Sequence, residues 1–421
     1  MNFKKVISLL SIFLLTIPLW ASYVLIPMDE SQKNHLKAYG VAYWVLERDV
    51  EVDWLLNYRG GSFMMKHAQA IVDELNIRGV SYEVIPDAKS TAILTEIANP
   101  EANKDVVKLQ KPPKMAVYSP KGKLPWDDAV TLVLTYAEIP YTVVYDKEVI
   151  QGELPQYDWL HLHHEDFTGQ YGRFYGSYRN HAWYKEEVRS NEAMAEELGF
   201  AKVSQLKLAV AQRIKEFTIG GGFLFAMCSG TDSYDISLAA ADIDICEQMF
   251  DGDGTTPDYN NKLNYDNTFA FKDFTLKTNP LEYEFSNIDA TPYHVKTPEN
   301  RDKFTLFEFS AKWDPVPTML CQNHTQIVDG FMGQTTAYDK RFIKKDVLIM
   351  GENKSLNSAR YIHGQFGKGT WTFYGGHDPE DYQHFVGDPP TDLNLHPNSP
   401  GYRLILNNVL FPAAKKKKQK T

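Results

Sequence analysis

The stretch GGGFLFAMCSG, Gly220 to Gly230, decides the fold, because a short apolar run ends there abruptly in a cysteine set among small residues. Phe223 to Met227 have the length and apolarity of a buried parallel strand, and Ser229 and Gly230 permit a tight turn into a helix suggested by residues 234–243. A side chain at such a turn is held clear of strand and helix alike. The helix N-terminus that follows favours thiolate over thiol, so Cys228 reads as the nucleophile of an elbow. A small buried thiol that happens to end a strand is the alternative reading of the same residues.

Outward from this stretch, strands are expected at 115–118, 141–144 and 159–162, and helices at 125–139 and 205–217. Strand-helix alternation at this spacing predicts an α/β fold with a parallel sheet and helices on both faces. Ligands of such sheets sit at the carboxyl ends of the strands, where Cys228 lies. A late strand at 347–350 and a hairpin of 359–366 with 370–374, turning through Gly367-Lys368-Gly369, deliver Gly375-Gly376-His377-Asp378-Pro379-Glu380. A helix over 400–411 closes the domain, which spans 115–412. Insertions near 168–197 and 250–317 interrupt it. Asp251-Gly252-Asp253-Gly254 in the second lacks the spacing of a calcium loop and reads as a turn.

Residues 23–99 alternate apolar runs with helical patterns and predict a smaller α/β domain, joined by a linker at 100–114 that ends in Pro112-Pro113. Within it, Asn57 to Ser62 reads as a hairpin turn, with Arg59 beside two glycines as a candidate anion site. Lys4 and Lys5 followed by apolar residues 6–20 have the layout of a secretory signal or an uncleaved anchor over 1–22, so an exported protein, periplasmic or extracellular, is expected. Residues 413–421 form a basic tail. A hydrophobic content of 43% with 13% aromatics excludes a disordered chain, and a net charge of -10 over 421 residues argues against nucleic acid as partner. No later stretch has the length and apolarity to span a bilayer, so any membrane attachment is expected through the N-terminal segment. The three cysteines leave at least one thiol unpaired, and a Cys246–Cys321 bridge would leave Cys228 free.

A cysteine nucleophile needs a base and a group that orients the base. His377 follows a glycine pair at a strand end and fits the first role; Asp378 or Glu380 fits the second; the backbone N–H of Ser229 fits an oxyanion donor. Tyr175, Arg179 and Trp183, in an insertion rich in aromatics, are candidates for a substrate lid, with packing of an inserted subdomain as the alternative. His161 and His163 point to one face of their strand and with Asp166 make a weak metal set; the expectation is no metal and no cofactor.

At these residues the chain resembles the class I glutamine amidotransferase-like superfamily, whose cysteine sits in a Gly-x-Cys-x-Gly elbow and whose histidine and glutamate follow on a late strand. Ala226 stands at the first elbow glycine, Gly230 matches the second, and Glu380 follows His377 by three residues where the family has two. The resemblance implies a flavodoxin-like sheet and cysteine-dependent hydrolysis of an amide or acyl bond. The whole chain is also similar to exported proteins labelled asparagine synthetase B, through ASYVLIPMDESQKNHLKAYG (21–40) and WLLNYRGGSFM (54–64). That label implies glutamine-dependent amide synthesis as one alternative; a non-catalytic protein that binds a carbohydrate or peptide on the same fold is another.

Overall fold

The computed structural model describes residues 22–120, 126–291, 298–299, 302–383 and 385–415. The expected signal or anchor, apart from Ser22, and the lysines beyond Lys415 lie outside the described residues. Among the described residues no helix is long and apolar enough to cross a membrane.

The first sheet is built from β1 (Ser22–Ile26), β2 (Val52–Leu56), β3 (Ser62–Lys66), β4 (Glu83–Pro86) and β5 (Asp105–Leu109), in the order β4-β1-β3-β2-β5. All its pairings are antiparallel. Alternation along each strand sends Val24, Trp54 and Phe63 to one core and Leu25, Leu55 and Met64 to another, the latter closed by Ile93 and Ile97 of helix Asp87–Ala98. Both faces are covered, which is why the strands read as nearly unbroken apolar runs. β5 corrects the sequence reading: it falls inside the stretch expected to be a linker. Its mixed charges belong to an edge strand whose outward Lys108 pairs with Asp53 at 2.9 Å.

The second sheet contains β6 (Met115–Tyr118), β7 (Thr142–Val144), β8 (Trp159–Leu162), β9 (Phe223–Met227), β10 (Lys303–Leu306), β11 (Ile327–Asp329), β12 (Tyr338–Asp339), β13 (Leu348–Asn353), β14 (Ser358–Phe366) and β15 (Gly369–Tyr374). Its order is β11-β10-β13-β14-β15-β9-β8-β6-β7, with β12 paired to β14. From β15 to β7 the strands are parallel; from β11 to β15 they are antiparallel. The sheet expected to be parallel is mixed: its late strands include the expected hairpin through Gly367 to Gly369, and a turn that tight joins only antiparallel neighbours. Helices cover both faces as expected. Val203–Gly220 and Ser229–Ala239 pack on one, Ala129–Ala137 and Pro400–Leu410 on the other.

The two sheets are joined by a shared core. Helix His35–Leu46 of the first domain packs against Ala129–Ala137 and Pro400–Leu410 of the second. Arg403, fully buried, donates to the carbonyls of Met28 and Gly60, and Asn407 accepts from Tyr39 at 2.5 Å. Arg59, a candidate for anion binding in the sequence, is held by Asp29 at 2.7 Å and Glu83 at 2.6 Å.

The suggested Cys246–Cys321 bridge is absent; all three cysteines are free. Cys246 donates instead to the Thr168 carbonyl, and Cys321 lies near that of Met350. Asp251 and Asp253, in the stretch read as a turn, are held together with Asp244 by the Lys202 ammonium, at 3.0 Å from Asp251 and 2.7 Å from Asp244.

Candidate active site

β9 and β15 run parallel in register, Tyr374 beside Met227, so Cys228 and His377 leave the sheet at the same edge. Cys228 sits between β9 and helix Ser229–Ala239 with φ 51° and ψ -140°, a conformation that residues other than glycine rarely adopt. Strain of this kind costs about 1–3 kcal/mol and persists only where the surroundings enforce it. They do. Thr231 Oγ1 donates to the Cys228 carbonyl at 2.7 Å, and Gly230 N–H donates to the His163 carbonyl at 2.5 Å. A Cβ on Gly230 would lie 2.1 Å from that same oxygen, which explains why the second elbow position is glycine.

The thiol is 2% exposed. Gln334 N–H donates to Sγ at 3.2 Å, and the amides of Thr335 and Ser229 act on it in the same sense. Burial nevertheless outweighs these donors and pushes the thiol up to about 11. The expected oxyanion donor, Ser229, thus directs its backbone N–H at the sulfur. Asp232, one turn into the helix, accepts from Thr335 Oγ1 at 2.8 Å, and burial raises it to about 8.

Gly333 is wedged between the two halves of the site: a Cβ there would lie 3.0 Å from Sγ and 2.9 Å from the His377 nitrogen. The thiol and the His377 backbone flank one glycine, while the His377 ring turns toward β8. Its centroid is 4.4 Å from that of His163 and 5.5 Å from that of His164. Asp378 and Glu380 have other engagements. Asp378 accepts from Glu380 N–H and, at 2.8 Å, from Thr391, with its acid raised by burial; Glu380 faces His396 at 3.0 Å.

The remaining sequence candidates divide. Trp183 joins Trp126 at 5.3 Å, and Trp126 meets the His164 ring edge-on at 5.1 Å, so the aromatic insertion does reach the histidines. Tyr175 packs toward Phe250, and Arg179 donates to the Gly176 carbonyl over the Tyr175 ring. His161 and His163 converge on Asp128, at 3.3 and 3.2 Å, and not on Asp166. Asp166 accepts from the backbone of Thr168, Gln170 and Gly172 and folds its own loop. Sequence reasoning passed over Asp128, Trp126, His164 and Gln334. Asp128 had a signal, an acidic residue just ahead of an apolar helical run, and it caps helix Ala129–Ala137 through Thr131 N–H. Gln334 had none. Ser229, Thr231 and Ser233, in the first turns of the helix after Cys228, are fully buried. A cavity of about 410 Å³ opens at the opposite end of the parallel strands, lined by Leu154, Phe217 and Phe223, away from this chemistry.

No family model matches the chain, and no curated protein does. Among solved structures, the cytoplasmic protein STM3548 from Salmonella typhimurium aligns at 12% identity and a TM-score of 0.33, covering 72% of this chain and 100% of its own. The cytoplasmic protein STM1381 from Salmonella typhimurium LT2 aligns at 12% identity and 0.37, with the same coverage. Gan42B, a GH42 β-galactosidase, aligns at 12% and 0.29, over 65% of this chain and 29% of its own. The chain is similar to these proteins at a level that assigns it no activity.

Proposed function

We propose that the protein hydrolyses or transfers an acyl group from an amide or related bond, with Cys228 as nucleophile and His377 as base, on a core of the amidotransferase-like kind. The reading includes export, on the strength of residues 1–22. The observation that carries it is the left-handed backbone at Cys228, a strained cysteine at the carboxyl edge of the parallel strands with backbone amides gathered at its sulfur. A thiol pushed up to about 11 is protonated at rest, so attack requires that a base take the proton as the carbonyl approaches. His377 arrives at the same edge from the adjoining strand. Collapse of the tetrahedral intermediate would break the bond to the leaving amine, which takes back from His377 the proton the thiol gave up, and leave a thioester for water to cleave to acid and free thiol.

A second reading, a carbohydrate- or peptide-binding protein without catalysis, draws on the aromatic wall of Trp126, Trp183 and Phe174 beside His164. The test is intact-mass analysis after exposure to a panel of activated acyl donors. One acyl adduct mapping to Cys228, absent from Cys228→Ala and long-lived in His377→Asn, is expected. Labelling that is equal in Cys228→Ala, or no adduct from any donor, overturns the acyl-transfer reading in favour of the second. Simple alkylation should be slow at neutral pH and quicken as pH climbs toward 11.

A further inference from the structure

The convergence of His161, His163 and Asp128 is unexplained by the acyl-transfer reading and does not depend on it. Asp128 Oδ2 lies 3.3 Å from His161 Nε2 and 3.2 Å from His163 Nδ1. Asp128 meets His161 Nε2 and His163 Nδ1 off the line of a well-formed hydrogen bond, and His163 Nε2 is buried without a hydrogen-bond partner. The two rings are 0% and 1% exposed. Orphaned imidazole nitrogens at such depth are costly unless something else engages them.

The protonation of His161 sharpens the problem. Its Nδ1 is 3.2 Å from the Phe225 carbonyl, which can only accept, so the proton belongs on Nδ1. In the neutral ring, Nε2 then turns a lone pair toward the Asp128 carboxylate. The ring is wholly enclosed, with Trp159 and Phe225 stacked at 5.9 and 5.7 Å, so no water reaches that lone pair.

A cation between the three groups removes the conflict. Tetrahedral ligands at about 2.0 Å from a zinc-like ion stand roughly 3.3 Å from one another, which is the spacing of Asp128 to each histidine, and all three ligand atoms lie within 4.8 Å of one another. The His161 Nδ1–H bond to a backbone carbonyl is the outer-shell contact that ligating histidines make. Two histidines and one carboxylate leave further coordination positions open, and imidazole with carboxylate suits divalent first-row metals.

We propose that Asp128, His161 and His163 bind a divalent transition-metal ion of the zinc type. Beyond His163, His164 and His377 offer nitrogens within 4.8 Å of one of His163's. Those rings lie tilted against His163, with centroids 4.8 and 4.4 Å from its own, and are not counted as ligands of the site.

The full chain, stripped with chelator, is titrated with zinc and with cobalt, and bound metal is counted by mass spectrometry after dialysis. One equivalent is expected, with a cobalt spectrum free of thiolate charge transfer and unchanged in Cys228→Ala. Asp128→Asn keeps an oxygen for the Thr131 cap and, like His163→Gln, should weaken zinc by at least about tenfold. Should those variants not fold, zinc-edge X-ray absorption of the parent chain decides: nitrogen and oxygen neighbours with imidazole outer shells are expected. Absence of stoichiometric binding, sulfur in the first shell, or parent-like affinity in both folded variants overturns the site. Because the readout is metal content, failure of the acyl-transfer reading leaves this result untouched.

Discussion

Cys228 shows how a single residue can be strained and well supported together. Its φ of 51° is enforced from three sides: by β9 behind it, by Thr231 on its carbonyl, and by His163, just past the end of β8, whose carbonyl takes the Gly230 N–H. The cost of the conformation is spread over contacts that a strand and a helix make in any case. Gly230→Ala tests this, since the added Cβ would meet the His163 oxygen at 2.1 Å. Overpacking against backbone should destabilise by about 1–3 kcal/mol, read as a lower urea midpoint at unchanged slope. An unchanged midpoint would mean that the elbow is looser than described. The same residue illustrates a limit: the helix N-terminus that favoured thiolate in the sequence is overruled by burial, which pushes the thiol up to about 11.

At the scale of elements, the loop from Phe331 to Thr336 holds the site together. It contributes Gln334 N–H to the thiol and the Met332 carbonyl to His377 N–H. Arg360, in the middle of β14 and fully buried, pins this loop by donating to the carbonyls of Phe331 and Thr336 while pairing with buried Asp302. Arg360→Met leaves the Asp302 charge unpaired and should cost about 3–5 kcal/mol. Calorimetry of the variant checks this; a loss below the range of a surface pair would remove Arg360 from its positioning role. The buried acids around the elbow give a pH test with a definite sign. Burial raises Asp232 to about 8 and Asp289 to about 7, from ordinary values near 3.8. A raised acid contributes its stability below the unfolded value and loses it as pH rises through the folded one. Thermal stability should therefore decline between pH 4 and pH 8, and Asp232→Asn, neutral throughout, should gain on the parent over that window. Parallel pH profiles for the two proteins would refute the assignment.

Across the whole molecule the two sheets behave as one body. Leu36, Tyr39 and Tyr43 of the first domain are buried in the same core as Val133, Leu134, Leu404 and Leu406 of the second, and Arg403 spans the junction to Met28 and Gly60. An interface this apolar leaves neither half with a finished surface. Removal of residues 1–114 should yield an insoluble or molten fragment, and the full chain should melt in one transition with coincident far- and near-ultraviolet signals. Two separated transitions would show independent domains. The two sheets divide between Leu109 and Met115, inside the stretch read as a linker at 100–114, and not at residue 99. β5, at residues 105–109, still belongs to the first sheet.

What the sequence by itself determined was everything carried by short-range pattern. The strand before Cys228, the turn after it, the late hairpin and the placement of His377 at a strand end all follow from apolar run length and glycine position, which neighbouring residues alone decide. What only the tertiary structure decided was which distant side chains meet. Asp128 lies more than thirty residues before His161 and His163, and Gln334 more than a hundred after Cys228; strand order, not spacing, brings them together. The thiol's acidity, the mixed sheet and the three free cysteines were decided in the same way. Each depends on how much water is excluded and on which strand lies beside which, quantities that exist only once the chain has closed on itself.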